Sequence, residues 1–404
     1  MLYRVELANF YSIRDPQVID LRAASNAPSE PSRLIPIWPG ALERVPKVVA
    51  LFGANASGKS NVLKALSFLM WFAKDSFQLT PDGWLPYQRF YDQEMLGAPT
   101  DIAIEFAGPS DLNKDERDCR YRYHVSLGGP KDKPPTLVFR ETLSYWPPPA
   151  APRARLVERR LFERAQTTRV GSKAFSLRGY PLDHILRPNA SVISTLAQLK
   201  HPFASRLWRA AASISSNILI EKVEINDQIA AQHYQQRPDI LQLLNRDLER
   251  LDLGIRGMHL QPGPSGPVAW FEHEGLAGPL HMQFESYGTR QFVRIFPYVA
   301  QALLQGGVAV IDEIDLAIHP LVLPEIIRWF HDPKRNPFNA QLWMTCQNAS
   351  LLEELTKEEV LFCEKNRRGR TTVYSLSDVQ AVRRTDNYYR KYLGGVYGAL
   401  PHLG

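Results

Sequence analysis

The chain has 404 residues, 44% hydrophobic and 22% charged, the balance of a folded globular protein large enough for two domains or for one with an insertion. No apolar run approaches a membrane span, the opening MLYRVELANF carries Arg4 and Glu6 where a signal peptide is apolar, and Cys119, Cys346 and Cys363 form neither a CxxC pair nor a cluster with histidine. A membrane protein, a disulfide scaffold and a zinc site are thereby disfavoured, a reducing cytoplasm is expected, and the net charge of +6 allows a nucleic-acid partner without requiring one.

Val5, Leu7, Phe10 and Ile13 alternate with polar residues and the pattern resumes at Val18, Ile19 and Leu21, which predicts a hairpin. Residues 23–44 are rich in Ala, Ser and Pro and read as a surface loop. The run VPKVVALF predicts a buried strand, and Val62, Leu63, Leu66, Leu69 and Met70 predict the apolar side of a helix after it. Over residues 101–145, DIAIEF, YRYHVSL and TLVFRETLSY are strand patterns separated by turn residues, an antiparallel meander. Prolines at 147–149 and 152 mark a loop before another strand pair near 156–162. Residues 191–253 then show helical periodicity with few breakers, as in LQLLNRDLERLDLG. Strand patterns return at 268–271 and 281–284, and a mixed α/β pattern follows. The chemistry-bearing motifs lie toward both ends, so the expected organisation is one split head. Its first lobe covers 1–180, a helical insertion or arm 181–255, and a second lobe 256–404.

The strongest motif is GANASGKS at 53–60, which matches G-x-x-x-x-G-K-[ST] at every fixed position between a strand and a helix. In such a loop the glycines let the backbone wrap phosphates, the amides and helix N-terminus supply positive potential, and Lys59 neutralises the terminal phosphates. The expected ATP-binding set is Gly53, Ala54, Asn55, Ala56, Ser57, Gly58, Lys59, Ser60 and Asn61, with the Ser60 hydroxyl on Mg²⁺. At 306–320, GGVAVIDEIDLAIHP is an apolar run ending in paired carboxylates, a Walker B strand. Asp312 is expected in the Mg²⁺ shell, and Glu313 is expected to orient and polarise the attacking water. Alone, IDE is also an ordinary surface acid pair; the upstream P-loop favours the catalytic reading. ESYGTRQF at 285–292 places Ser-x-Gly at a helix start just before that strand, the ABC signature arrangement. Ser286 and the Gly288 amide would present donors to the γ-phosphate held by a second chain's P-loop, so that ATP joins two heads. An N-capping serine is the other reading.

The sequence resembles the AAA-family ATP-binding proteins with ABC-type heads of bacterial abortive-infection and anti-phage systems, relatives of the RecF, SMC and OLD-nuclease ATPases. The resemblance runs almost end to end: LANFYSIRD at 7–15, GANASGKSNVLKAL, RPNASVISTLAQ at 187–198, LDLGI, ESYGTRQF, DEIDLAIHP, and VRRTDNYYRKYLGGVYGALP at 382–401. The P-loop is widespread; its combination with Ser-x-Gly-Thr-Arg, DEID…HP and Tyr-Gly-Ala-x-Pro is more specific. The resemblance implies an α/β P-loop NTPase of ABC type, a mixed sheet core plus an antiparallel meander with an inserted helical arm, using ATP and Mg²⁺. It also implies Gln88 as a Q-loop ligand reading Mg²⁺ and γ-phosphate, against a plain surface glutamine. His319 would be a contact to the partner head, against a buried, satisfied histidine. Arg14, within 9–14, would lie near the base and ribose. After AQLWMT this family places a switch histidine on the γ-phosphate, and TCQN puts Gln347 there instead. Glutamine donates a hydrogen bond but carries no charge and relays no proton, so slow hydrolysis is expected, with ATP acting more as a clamp than as fuel.

Near the C-terminus Lys365, Arg367, Arg368, Arg370, Arg383, Arg384, Arg390 and Lys391 interleave with Tyr388, Tyr389 and Tyr392, a mixture suited to phosphates and stacked bases or simply a solvated face. No cysteine nucleophile, no carboxylate cluster beyond Walker B and no room for a TOPRIM or HNH domain are evident, so destruction of a target would need a second protein. The expectation is a cytoplasmic ATPase, a homodimer or higher oligomer through ATP-sandwiched heads, acting as sensor or scaffold in anti-phage defence. It would control a separate effector, such as a TOPRIM-type nuclease or another toxin. A RecF- or SMC-like DNA-repair clamp is the alternative, and the meander and helical insert speak against the energy subunit of an ABC transporter.

Overall fold

The computed structural model describes residues 1–24, 27–28, 30–111, 118–146, 159–165, 168–223, 225–251 and 254–401. The proline loop expected at 147–152 and the Asp252–Leu253 step of LDLGI lie outside the described residues. β1 (Leu2–Ala8) and β2 (Gln17–Asp20) pair antiparallel as the alternation predicts, and Asn9 and Tyr11 take left-handed backbone in the turn between them. The stretch expected as loop holds a two-stranded ribbon, β3 (Leu34–Pro36) with β4 (Arg44–Pro46), because Leu34, Ile35 and Val45 have a core to enter.

β5 (Val48–Phe52) leads through the P-loop into α1 (Lys59–Asp75). All five β5 residues are buried, and alternate side chains enter different cores. Val49 and Leu51 join the core shared with the meander, whereas Val48, Ala50 and Phe52 join the one under the later helices. A strand covered on both faces has no polar side, which explains its unbroken apolar run.

The meander comprises β6 (Thr100–Gly108), β7 (Cys119–Gly128), β8 (Leu137–Trp146), β9 (Arg159–Ala165) and β10 (Arg169–Gly171). With β1 and β2 it forms a seven-stranded antiparallel sheet ordered β10-β9-β8-β7-β6-β1-β2. The short helices α2 (Leu182–Ile185) and α3 (Val192–Gln198) and helix α4 (Pro202–Ala212) follow. The wholly buried Glu141 of β8 accepts the Val192 amide at 2.9 Å and the Tyr123 hydroxyl at 2.8 Å, tying the meander to the start of α3.

Three residues form β11 (Ile214–Ser216), followed by α5 (Asp227–Gln236) and α6 (Pro238–Arg250). β12 (Ile255–Gly263), β13 (Gly266–His273) and β14 (Leu280–His281) make a small antiparallel sheet; the strand expected at 281–284 is mostly a 3₁₀ turn. The remaining elements are α7 (Tyr287–Gln305), β15 (Val308–Ile311), α8 (Val322–His331), β16 (Gln341–Thr345), β17 (Val360–Lys365), β18 (Thr371–Ser375) and α9 (Tyr388–Leu393). The central sheet is ordered β11-β15-β16-β5-β17-β18, parallel except for β18. Parallel strands end at a common edge, where open α/β sheets bind ligands. The P-loop follows β5, and Asp312 and Glu313 follow β15, two positions away across β16.

No helix among the described residues is long and apolar enough to cross a membrane. The C-terminal tyrosines have structural work: Tyr388 and Tyr392 are buried, and the Tyr392 ring stacks on Phe362 at 5.3 Å. They are therefore not available for base stacking.

Candidate nucleotide site

Helix α1 begins without a side-chain cap: its N-cap is Gly58, and no acidic residue lies in its first turn. The orphan amides of a helix start are thus left for an anion. Gly58 has φ +103°, and a Cβ there would collide with Thr371 Oγ1 and lie 2.9 Å from Ser12 Oγ. Those two hydroxyls brace the loop from behind. They lie 2.7 Å from each other, Asn61 Nδ2 donates to Ser12 Oγ at 2.7 Å, and Thr371 Oγ1 is 2.8 Å from the Ser57 carbonyl. Lys59 Nζ donates to the Gly53 and Ala54 carbonyls at 2.8 and 3.0 Å. Burial pulls the Lys59 ammonium below its ordinary value of 10.5, so an anion beside it would be strongly favoured.

Across the edge, Ser60 Oγ donates to Asp312 Oδ1 at 2.9 Å and Thr345 Oγ1 donates to the same oxygen at 2.7 Å. The Glu313 amide donates to Thr345 Oγ1 at 2.7 Å. Glu313 itself has φ +50°, a left-handed backbone uncommon for a glutamate and often stored at functional positions. Residues 55–61, Glu313, Thr345, Gln347 and Lys365 line one cleft of ≈ 370 Å³. Gln347 is exposed there, and its amide and that of Asn348 donate to Asp315 Oδ2 at 2.8 and 2.7 Å. Ser60 and Asp312 offer adjacent hard oxygens, the donor type Mg²⁺ takes alongside phosphate and water. These residues fit a Mg²⁺–triphosphate.

The other predicted positions lie outside this cleft. Ser286 caps α7 by accepting the Thr289 amide at 3.0 Å, so the capping reading is realised; the residue remains exposed. Gly288 permits close packing, since a Cβ there would sit 2.5 Å from the Ala317 carbonyl in the loop after Walker B. Gln88 is exposed, and its carbonyl accepts the Tyr11 amide at 2.9 Å. Arg14 is held by Asp92 at 2.7 Å, Asp15 at 2.9 Å and Glu94, and those carboxylates, with the Asp92 hydrogen bond first, raise its basicity. His319 is exposed and its Nδ1 accepts the Leu321 amide. In the basic tail Arg384 pairs with Glu358, and Lys391 with Asp386 at 2.7 Å.

Sequence reading passed over several residues that build the site. Asn217 is buried just after β11; its Oδ1 accepts the Asp312 amide at 2.7 Å and its Nδ2 donates to the Asp312 carbonyl at 3.0 Å. Lys222 Nζ lies 2.9 Å from Glu313 Oε2. Ser12, Thr345 and Thr371 belong here too. Ser12 falls within the stretch 9–14 already placed near the nucleotide, though not picked from it; the others sit in no recognisable spacing, and only the order of the strands brings them in.

No curated protein matches the sequence. Among solved structures, the chain is similar to an SMC head bound to the C-terminal winged-helix domain of ScpA, at 14% identity and a TM-score of 0.48 over 93% of this chain and 97% of that one. It is similar to the SMC head domain from Thermotoga maritima, at 12% identity and 0.41 over 93% and 98%. It is also similar to an SMC head with an extended coiled coil, bound to the C-terminal domain of ScpA derived from Pyrococcus furiosus, at 14% identity and 0.44 over 93% and 96%. The family described as "AAA domain, putative AbiEii toxin, Type IV TA system" matches residues 48–353, three quarters of a chain whose P-loop shares a cleft with Glu313 and a hydrogen bond with Asp312, and the chain belongs to that family.

Proposed function

We propose that the chain is a slow Mg²⁺-dependent ATPase whose ATP-bound heads associate, and that it serves as a sensor or scaffold governing a separate effector in anti-phage defence. The observation that carries this reading is a division of labour on the surface. The phosphate loop and Glu313 share one cleft, with Asp312 bonded to Ser60 beside it, and no α7 residue lines that cleft; Glu313 also borders a second groove with Tyr287, Gln291 and Arg294 of α7. Ser286 opens α7 between exposed Phe284 (67% exposed) and Tyr287 (54%), and Tyr287 borders the same groove as exposed Leu316 (42%). Such a rimmed patch is the kind of surface a second copy covers.

Bound Mg²⁺–ATP would supply the electrophilic γ-phosphorus. Lys59 holds the terminal phosphates, Ser60 and Asp312 hold the metal shell, Glu313 orients water and takes its proton, and Gln347 donates a hydrogen bond without charge. The same fold would use the lobes at 1–180 and 256–404 as one head, with 181–255 supplying Asn217 and Lys222. The defence role is supported by the family's toxin–antitoxin description and by the resemblance to anti-phage ATPases.

The test is sedimentation and co-purification of Glu313→Gln with ATP. ATP-dependent association, absent in Lys59→Ala, with a stoichiometric nuclease or toxin bound in the native host, supports the reading. Nuclease-sensitive DNA with no protein partner points to a repair clamp, and no ATP-dependent association removes the head-sandwich mechanism.

A further inference from the structure

The partly exposed Glu313 carboxylate is not left unpaired. It is approached by an ammonium from a part of the chain that carries no motif, and the approach is built rather than incidental. Immediately after β11 the chain makes a tight hairpin: Val223 N donates to Asn217 O at 2.7 Å, and Ile218 and Lys222 form an antiparallel bridge. Asn217 fastens that hairpin to the Walker B strand three times: through its own amide to the Val310 carbonyl at 3.2 Å and through its side chain to both the backbone N–H and the carbonyl of Asp312. Lys222 and Glu313 are therefore carried on one rigid unit. At the other end Glu313 is fixed by its left-handed φ and by the bond from its amide to Thr345 Oγ1.

We propose that Lys222 is a positioning residue for Glu313. Its ammonium holds Oε2 at 2.9 Å, fixes the orientation of the carboxylate and leaves Oε1 as the oxygen for the water. The inference rests on the ATPase reading. In the step it serves, the water oxygen bonds to the γ-phosphorus, the bond from that phosphorus to the β–γ bridging oxygen breaks with ADP leaving, and the water proton passes to Oε1. An exposed ion pair of this kind contributes little to stability. Its value is orientation, since a misplacement on the order of 1 Å costs up to roughly 100-fold in rate. Lys222 and Glu313 both line a groove of ≈ 460 Å³ with Asn226, Tyr287 and Arg294, whereas Glu313 without Lys222 lines the phosphate-loop cleft.

Two measurements test the assignment. In the nucleotide-free protein, a zero-length carbodiimide should join the Lys222 and Glu313 side chains, detected as a linked peptide pair by mass spectrometry; absence of that link overturns the pairing. In steady-state assays Lys222→Met should lower kcat about 10-fold or more with the ATP dissociation constant unchanged, Lys222→Arg should recover most of the loss, and Lys222→Met should cost nothing further in Glu313→Gln. Turnover in Lys222→Met equal to or above the parent overturns the proposal. So does a loss shared equally by ATP affinity, or one that arginine does not rescue, because either marks a merely structural role. If the parent hydrolyses ATP no faster than Lys59→Ala, the ATPase reading itself fails and the proposal falls with it, an outcome the carbodiimide link distinguishes.

Discussion

Replacing Asn217 by alanine should reveal how much of the Walker B geometry is held from outside the motif. The side chain is buried and makes two hydrogen bonds to the backbone of one residue, accepting the Asp312 amide at 2.7 Å and donating to the Asp312 carbonyl at 3.0 Å. Alanine removes both partners and leaves a buried N–H and C=O without them. Counting about 1 kcal/mol for each bond lost and adding the desolvation of an unpaired buried group, the cost is about 2–4 kcal/mol. For 404 residues at about 2.1 cal/mol/K per residue, the entropy of unfolding is roughly 0.85 kcal/mol/K, so about 3 kcal/mol lowers the melting temperature by roughly 3–4 °C. Calorimetry reads this directly. Asn217→Asp sharpens the test: it keeps the shape and the acceptor but sets a carboxylate oxygen against the Asp312 carbonyl, and should be no more stable than alanine. A loss under about 1 kcal/mol for alanine, or parent-like melting for aspartate, would refute the reasoning.

Gly58→Ala should lower ATP affinity about 10-fold or more by titration calorimetry, because both its φ of +103° and the collision with Thr371 Oγ1 oppose a side chain; unchanged affinity removes the P-loop geometry from the account. Gln347→Ala should slow turnover at least about 10-fold with ATP still bound, whereas fast parental turnover untouched by the substitution sinks the role given to that side chain. Glu359 supplies a pH signature. It is buried; burial alone raises its carboxyl, but the His331 hydrogen bond at 2.7 Å, the His331 and Arg33 charges and the Thr356 amide outweigh that and hold it below 4.5. A carboxyl depressed on folding contributes stability that is complete above its unfolded value and lost as pH falls through the folded one. The stability gap between parent and Glu359→Gln should therefore narrow as pH falls below about 4.5 in urea melts; a gap that does not shrink there contradicts the assignment.

The sequence by itself determined the phosphate loop, the Walker B pair and the meander, since each is a local pattern. An apolar run ending in a glycine-rich turn has one productive conformation, and strict alternation from Asp101 onward leaves an antiparallel sheet as the way to bury one side. Gln347 was named only because the resemblance places a switch residue after AQLWMT; the structure puts it two residues past β16, in the cleft beside the phosphate loop. The ribbon at Leu34–Pro36 was not legible, because three residues in a proline-rich stretch carry no period. Only the tertiary structure decided the rest. β11 is three residues long within a helical region, and it is a strand because pairing with β15 satisfies its backbone. That pairing delivers Asn217 to the Asp312 peptide and Lys222 to Glu313, across sequence separations that no motif spans. Tyr388 and Tyr392 likewise read as a stacking surface beside arginines until packing against Phe362 and the C-terminal turn claimed their rings for the core. Motifs report chemistry written in neighbouring residues; hydrogen bonds between distant strands are written only in the order of the sheet.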